Sequence, residues 1–319
     1  VAQLSVTDDP KLKTYVGRRK LRLQPFLKNW ELYVIITPVL LYFIVFEYVP
    51  MYGVQIAFKN FVATKGIWGS PWVGFDHFER FFNSYFFWRL LKNTLGISLY
   101  QLAVGFPVPI LLALMMNELR LGVFKKFVQT VTYAPHFLST VVLVGIIVIF
   151  LSPQSGIVNQ IIVHLGGQPI SFMTEPGWFK SIFVWSGVWQ QMGWGSIIYL
   201  AALAGIDPQL HEAAKVDGAS RLQRIWHVNL AGIMPTVVIL LILNTGSIMT
   251  VGFEKVYLMQ NDVILESADV ISTYVYRTGI IQAQYSFAAA VGLFNSVINL
   301  IMLVTVNYIA KRLNETSLW

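Results

Sequence analysis

Residues 211 to 232 read HEAAKVDGASRLQRIWHVNLAG, a polar, helix-forming stretch set between two long apolar runs. Just before it, Asp207 suits the cap of a helix and Pro208 its first turn, where the missing N–H costs nothing. Gly218 can take the left-handed backbone that ends such a helix, and Ser220-x-x-Gln223 has the spacing of a capping box that opens a second one. Two short helices meeting at a corner are therefore expected. In the first, Ala213 and Ala214 leave the backbone open to close approach by another protein. In the second, Leu222, Ile225 and Trp226 are expected to pack, with Arg221 and Arg224 kept in water. His211-Glu212 opens an HExxH-like string, but its fifth position is Lys215, so the second histidine ligand is missing. The stretch reads as a docking element rather than a catalytic one.

The flanking runs place the chain in a bilayer. Hydrophobic residues make up 55% of the sequence and charged ones 12%, with a mean hydropathy of +0.60, a balance that no soluble domain keeps dispersed. A spanning helix needs roughly 20 mostly apolar residues. The charge-free intervals predict an all-α integral membrane protein with six spans, near residues 32–51, 93–116, 131–151, 181–204, 230–251 and 287–309. A basic segment (1–31), the docking loop (207–231) and a short tail (311–319) complete the organisation. Pro38, Gly105, Pro107 and Pro109 are expected to kink their helices, which membrane bundles tolerate when neighbours re-satisfy the backbone.

Orientation follows from the cations. With the N-terminus inside, fifteen of the 23 lysines and arginines fall on the cytoplasmic side, as the retention of cations in short inner loops requires. Both termini and the docking loop are thus expected to be cytoplasmic. The net charge of +7 then reflects topology, and the basic N-terminal segment, which has no nucleic-acid recognition motif, is expected to meet anionic lipid headgroups. Its polar, basic lead of about 30 residues, with no small-residue cleavage site after the first span, reads as no cleavable signal peptide, so that span is expected to remain as an anchor.

Catalytic signatures are missing. There is no G-x-x-x-x-G-K-[ST] string to cradle phosphates and no G-x-S-x-G nucleophile elbow. Cysteine is absent, and the five histidines have no paired ligand spacing, so no metal site is expected. Only Glu47 approaches a span, which disfavours an ion-coupled carrier, because such carriers need buried ionisable groups to hold the coupling ion.

Glu212-Ala213-Ala214, three residues, Gly218, then Val228-x-Leu230 resembles the EAA loop of permease subunits in ATP-driven, binding-protein-dependent importers. That pattern usually ends I-x-L-P, whereas here Leu230 is followed by Ala231 and the proline falls at Pro235. The strings VPMYGVQIAFKNF from Val49, SPWVGFDHFERFF from Ser70, GFEKVYLMQN from Gly252, ADVISTYVYRTG from Ala268 and YSFAAAVGLFNSVIN from Tyr285 are similar to the LplB-like, MalF/MalG-related branch of sugar-importer permeases. The resemblance implies a type I ABC importer permease fold in the bacterial inner membrane. It further implies that this chain forms half of a pore with a second homologous permease and binds no cofactor itself. Two ATPase subunits would bind ATP and Mg, and an extracytoplasmic solute-binding protein would deliver an oligosaccharide, alginate or another uronate-containing one among them. By the same resemblance Glu212, Ala213, Ala214, Asp217, Gly218 and Arg221 are the ATPase-coupling residues.

Residue types within the predicted spans supply a candidate substrate pathway. Gln190, Gln191, Trp194, Tyr199, Asn244, Asn295 and Asn299 can hydrogen-bond or stack on sugar rings, although such groups also serve as glue between helices. Asn295 and Asn299, one turn apart, share a helix face. The spans offer no arginine or lysine to face a carboxylate. Outside them, Trp68, Trp72, Phe75, Phe78, Phe81 and Phe82 are candidates for a binding-protein dock or an interfacial aromatic belt. The other class left open is a membrane-embedded enzyme or assembly factor, which would need a buried catalytic cluster.

Overall fold

The structure, a computed structural model, describes residues 30–119 and 122–314, so almost all of the basic N-terminal segment and most of the C-terminal tail lie outside the described residues. The chain divides into two units, Val1–Gly53 and Val54–Trp319. In the first, helix Trp30–Phe43 passes through a π turn, Ile44–Tyr48, into Val49–Met51, and none of these residues is buried. Pro38 sits inside this helix without ending it. A helix that is apolar on every side belongs in hydrocarbon.

Among its described residues the second unit's regular elements are all helices, joined by turns and loops, with one isolated antiparallel bridge, Lys59 with Trp72. Among the described residues four helical runs are long and apolar enough to cross a membrane: Trp30–Phe58, Phe86–Asn117, Arg221–Gly246 and Tyr285–Arg312. Within the second of these, helix Phe86–Gly105 is interrupted at Phe106 before Pro107–Asn117, the site where Gly105 and Pro107 announce a kink. A fifth helix, Pro176–Ala204, has 29 residues, roughly 43 Å of length, but Lys180, Ser186, Gln190 and Gln191 make it too polar to pass as an apolar span.

The stretch expected to span at 131–151 is not one continuous helix. Helix Gly122–Tyr133 runs into a 3-10 turn, Ala134–Phe137, and the chain then bends by 102° before helix Thr140–Phe150. The cause is local: Pro135 cannot donate to a continuing helix, and the Ser139 side chain accepts from the Val142 N–H at 3.3 Å to start a new one. The 11 residues of Thr140–Phe150 cover roughly 16 Å, about half of a hydrocarbon core.

Three apolar clusters hold the unit together. Ile97, Val144, Phe183, Val188 and Val256 join the first half of the Phe86–Asn117 run and the long helix to the segment beyond residue 250. Phe81, Leu90, Met249, Tyr274 and Phe287 form a second cluster against the last helix. Phe81 is 1% exposed, so it is a core residue and not a surface dock, whereas Trp68, Trp72 and Phe75 are exposed. The third cluster, with Ile110, Ala113, Tyr199, Leu203 and Ile233, lies beside the polar loop and takes in Ile206, Ile225 and Leu230.

One buried carboxylate fixes the segment between the last two apolar runs. Asp269, fully buried, pairs with Arg277 at 2.6 Å and Arg89 at 3.3 Å, and Thr273 Oγ1 donates to it at 3.1 Å. The Asn93 amide donates to the backbone carbonyls of Glu266 (2.8 Å) and Asp269 (3.1 Å). Removing one member of a buried ion group leaves the others uncompensated. Asp269→Ala is therefore expected to destabilise the detergent-purified protein by about 3 kcal/mol, read as a fall in its apparent unfolding temperature. An unchanged midpoint would contradict the role assigned to this cluster.

Candidate functional site

The polar loop builds a corner in which the backbone groups at both helix ends find partners. Asp207 caps helix Pro208–Val216 by accepting from the Gln209 N–H at 2.9 Å. The helix closes on Gly218, whose φ of 78° is in the left-handed region. The Ala219 N–H donates to the Ala214 carbonyl at 2.9 Å and the Gly218 N–H to that of Lys215 at 3.1 Å, the paired bonds of a Schellman ending. Ser220 and Gln223 then form the reciprocal capping box of the next helix, with the Gln223 Oε1 accepting from the Ser220 N–H at 2.8 Å. The second helix is not short: Arg221–Arg224 continues through a π turn, Ile225–Leu230, into Ala231–Gly246, with Pro235 inside.

Arg221 is tied within the chain. Its Nε lies 2.6 Å from the Glu118 carboxylate and its second terminal nitrogen donates to the Glu118 backbone carbonyl at 2.9 Å. Glu118 ends the helix Pro107–Asn117, so the corner is tethered to that helix. Glu212, Ala213 and Asp217 are exposed and Ala214 is half-buried. The packing expected of Leu222 and Trp226 is corrected: they are 78% and 66% exposed, and Leu210 and Val216 are exposed too. Only Ile225 of that set joins the core. Leu210, Ala213, Val216, Leu222 and Trp226 are thus uncovered apolar side chains on or beside the capped corner.

A cavity of about 510 Å³ lies between the Phe86–Asn117 run, the long helix and the end of Ala231–Gly246. Gln190, Gln191, Trp194, Tyr199 and Asn244 all line it. The long helix positions the first four and is itself fastened to the bend at 134–139. The Gln190 amide donates to the Leu138 carbonyl at 2.9 Å, Gln191 Oε1 lies 2.9 Å from His136 Nδ1, and the Trp194 indole stacks on His136 at 4.3 Å. Tyr199 is buried in the wall. Asn295 and Asn299 are not brought to this cavity. Asn295 lines a separate apolar groove of about 590 Å³ with Phe253, Tyr276 and Ala288. Asn299 spends its amide on the Met249 N–H and the Thr250 hydroxyl, at 2.9 and 3.1 Å, as glue between segments.

Sequence reasoning missed Ser98, Gln101, Ser247, Thr250 and Lys255 in the same wall. Gln101 and Ser247 could have been found by the criterion that picked out Gln190. Lys255 could not, because it enters from helix Phe253–Met259, outside the predicted spans. Burial pushes its amine down to about 8, so it is cationic below that pH and neutral above it.

Residues 105–315 match the family described as "Binding-protein-dependent transport system inner membrane component". The chain is 46% identical to protein LplB of Bacillus subtilis over 288 residues, 90% of this chain and 91% of that protein. It is 44% identical to the polygalacturonan/rhamnogalacturonan transport system permease protein YteP of the same organism, over 95% of this chain and 94% of the relative. Among solved structures it is similar to a chain of a bacterial ABC transporter involved in the import of the acidic polysaccharide alginate, with a TM-score of 0.85 and 43% identity, covering 91% of this chain and 98% of that one. A second likeness, with a TM-score of 0.87 and 42% identity over 93% and 99% of the two chains, is to a bacterial alginate ABC transporter in complex with an alginate pentasaccharide-bound periplasmic protein. The fold, the capped corner and these likenesses agree: the chain belongs to the binding-protein-dependent transport system inner membrane components, the permeases of ABC transporters.

Proposed function

We propose that this chain is one of two permease subunits of a type I importer for an oligosaccharide, with alginate or another uronate-containing glycan as its cargo. One observation carries the reading: the corner at 207–223 satisfies its own backbone yet leaves Ala213, Val216 and Leu222, with Trp226 just beyond it, uncovered, so its capped backbone and its apolar side chains both serve another protein. The partner is an ATPase subunit, which binds the ATP and Mg that this chain has no motif to hold. Glu212 and Asp217 offer polar contacts in its cleft, while Ala213 and Ala214 allow close approach. The relatives named for polygalacturonan and alginate transport favour a uronate cargo, and the amides, hydroxyls and indole of the 510 Å³ cavity are the groups that bind sugar rings. The topology has both termini cytoplasmic in the bacterial inner membrane. Its six crossings are the four apolar runs, the long helix Pro176–Ala204 and the bent stretch at 122–150, whose polar segments pack on one another rather than on lipid.

In this reading closure of the ATPase dimer moves the corner as a body. The movement reaches the cavity by two routes, the unbroken helical run from Arg221 to Gly246 and the Arg221–Glu118 tie to the helix carrying Pro109. A solute-loaded binding protein on the outer face supplies the opposite signal.

Gly218→Pro, which cannot take the left-handed backbone, is expected to reduce binding-protein-stimulated ATP hydrolysis of the assembled importer to its basal level while membrane insertion is retained; normal transport by this variant would contradict the reading. Arg221→Ala and Glu118→Ala each remove an exposed pair that contributes about 1 kcal/mol or less to stability. Both are expected to lower coupled transport severalfold, and the double variant no further; independent, additive losses would show that the tie transmits nothing. Trp194→Ala is expected to lower oligosaccharide-stimulated hydrolysis, and Asn295→Leu, facing the other groove, to leave it unchanged. The opposite ranking in the same assay would relocate the pathway.

A further inference from the structure

The cavity wall contains one charged side chain, Lys255, and no carboxylate. Its Nζ donates to the Phe183 carbonyl at 2.8 Å and lies 4.7 Å from the centroid of the Phe183 ring. No ion pair among the described residues includes it. An ammonium has three donors, and a cation partly withdrawn from water without a counter-charge is costly to hold. An anion entering the cavity would offset that cost and take the donors that the carbonyl leaves. The opposing helix is notched to make room: a Cβ on Gly187 would lie 3.2 Å from the Nζ. The same wall carries Gln101, Asn244, Ser247, Thr250 and Trp194, which suit the hydroxyls and apolar faces of sugar rings.

We propose that Lys255 is the residue that reads a carboxylate on the glycan as it crosses the cavity, so that the permease itself, and not only its binding protein, distinguishes acidic from neutral oligosaccharides. The inference rests on the importer reading above and adds a specificity determinant to it. It also explains how a chain whose predicted spans hold no cation for a uronate can accommodate one: the charge is delivered from the helix Phe253–Met259 between spans.

The test uses the complete importer, both permeases with their ATPase subunits in nanodiscs without binding protein, titrated calorimetrically with a mannuronate trisaccharide and with the mannose trisaccharide of the same linkage. The wild type is expected to bind the charged probe at least about tenfold more tightly, the scale of one charge-assisted bond to a shielded cation. Lys255→Arg should keep that preference. Lys255→Met should lose it while retaining its affinity for the neutral probe. Equal affinity of the wild type for the two probes overturns the proposal without recourse to any variant. So does an equal loss for both probes in Lys255→Met, which would make the lysine only a tether to Phe183. A separate assay of ATP hydrolysis with loaded binding protein keeps the two readings apart: wild-type hydrolysis that no loaded binding protein stimulates would overturn the importer reading and this inference with it, whereas stimulated hydrolysis with no preference for the charged probe overturns this inference alone.

Discussion

Polar side chains on a helix packed among other helices are satisfied by partners on those segments, and the rest of this structure depends on how helix Pro176–Ala204 meets that constraint. Gln190 reaches the Leu138 carbonyl, Gln191 meets His136, and Trp194 stacks on the same imidazole. These contacts hold the bend at 134–139 against the long helix. The face that carries them also lines the cavity, so the groups that position the helices are the groups available to a solute. In the proposed importer a polar cargo bound here would exchange one set of hydrogen bonds for another, which suits a pathway that must release what it binds.

The corner at 207–223 follows the opposite logic. Only its last three residues belong to an apolar run, Arg221–Gly246, and it spends its caps on itself: Asp207 on Gln209, Gly218 and Ala219 on the preceding turn, Ser220 on Gln223. Because Arg221 grips both the carboxylate and the backbone of Glu118, the corner is tied to the helix Pro107–Asn117, which contributes Pro109 to the cavity wall.

Local backbone chemistry was legible in the sequence, and long-range geometry was not. Asp207, Pro208, Gly218 and the Ser220-x-x-Gln223 spacing each signal a cap, and each cap is present. The bend at 134–139 escaped a window of apolar residues because Pro135 and Ser139 act on the backbone, which hydropathy does not register. Leu222 and Trp226 read as packing residues from their type alone, but their faces are turned away from the core. Pairing in space lay furthest from reach. Nothing near Asp269 in sequence reveals Arg89, 180 residues away, and nothing marks Lys255 as belonging to a wall built largely from the spans. Asn299, chosen for its amide, is spent on Met249 and Thr250.

In the proposed importer the exposed surface of the corner docks on a cytoplasmic ATPase. A photo-crosslinking residue placed at Val216, 87% exposed and outside the core, tests it most directly when the chain is expressed in its native membrane, with a second placement at Tyr85, 85% exposed on the opposite side of the proposed topology. The account predicts an adduct between position 216 and an ATPase subunit, and none with that subunit from position 85. An adduct with the ATPase from position 85 alone, or only lipid adducts from position 216 in an actively transporting membrane, would contradict it.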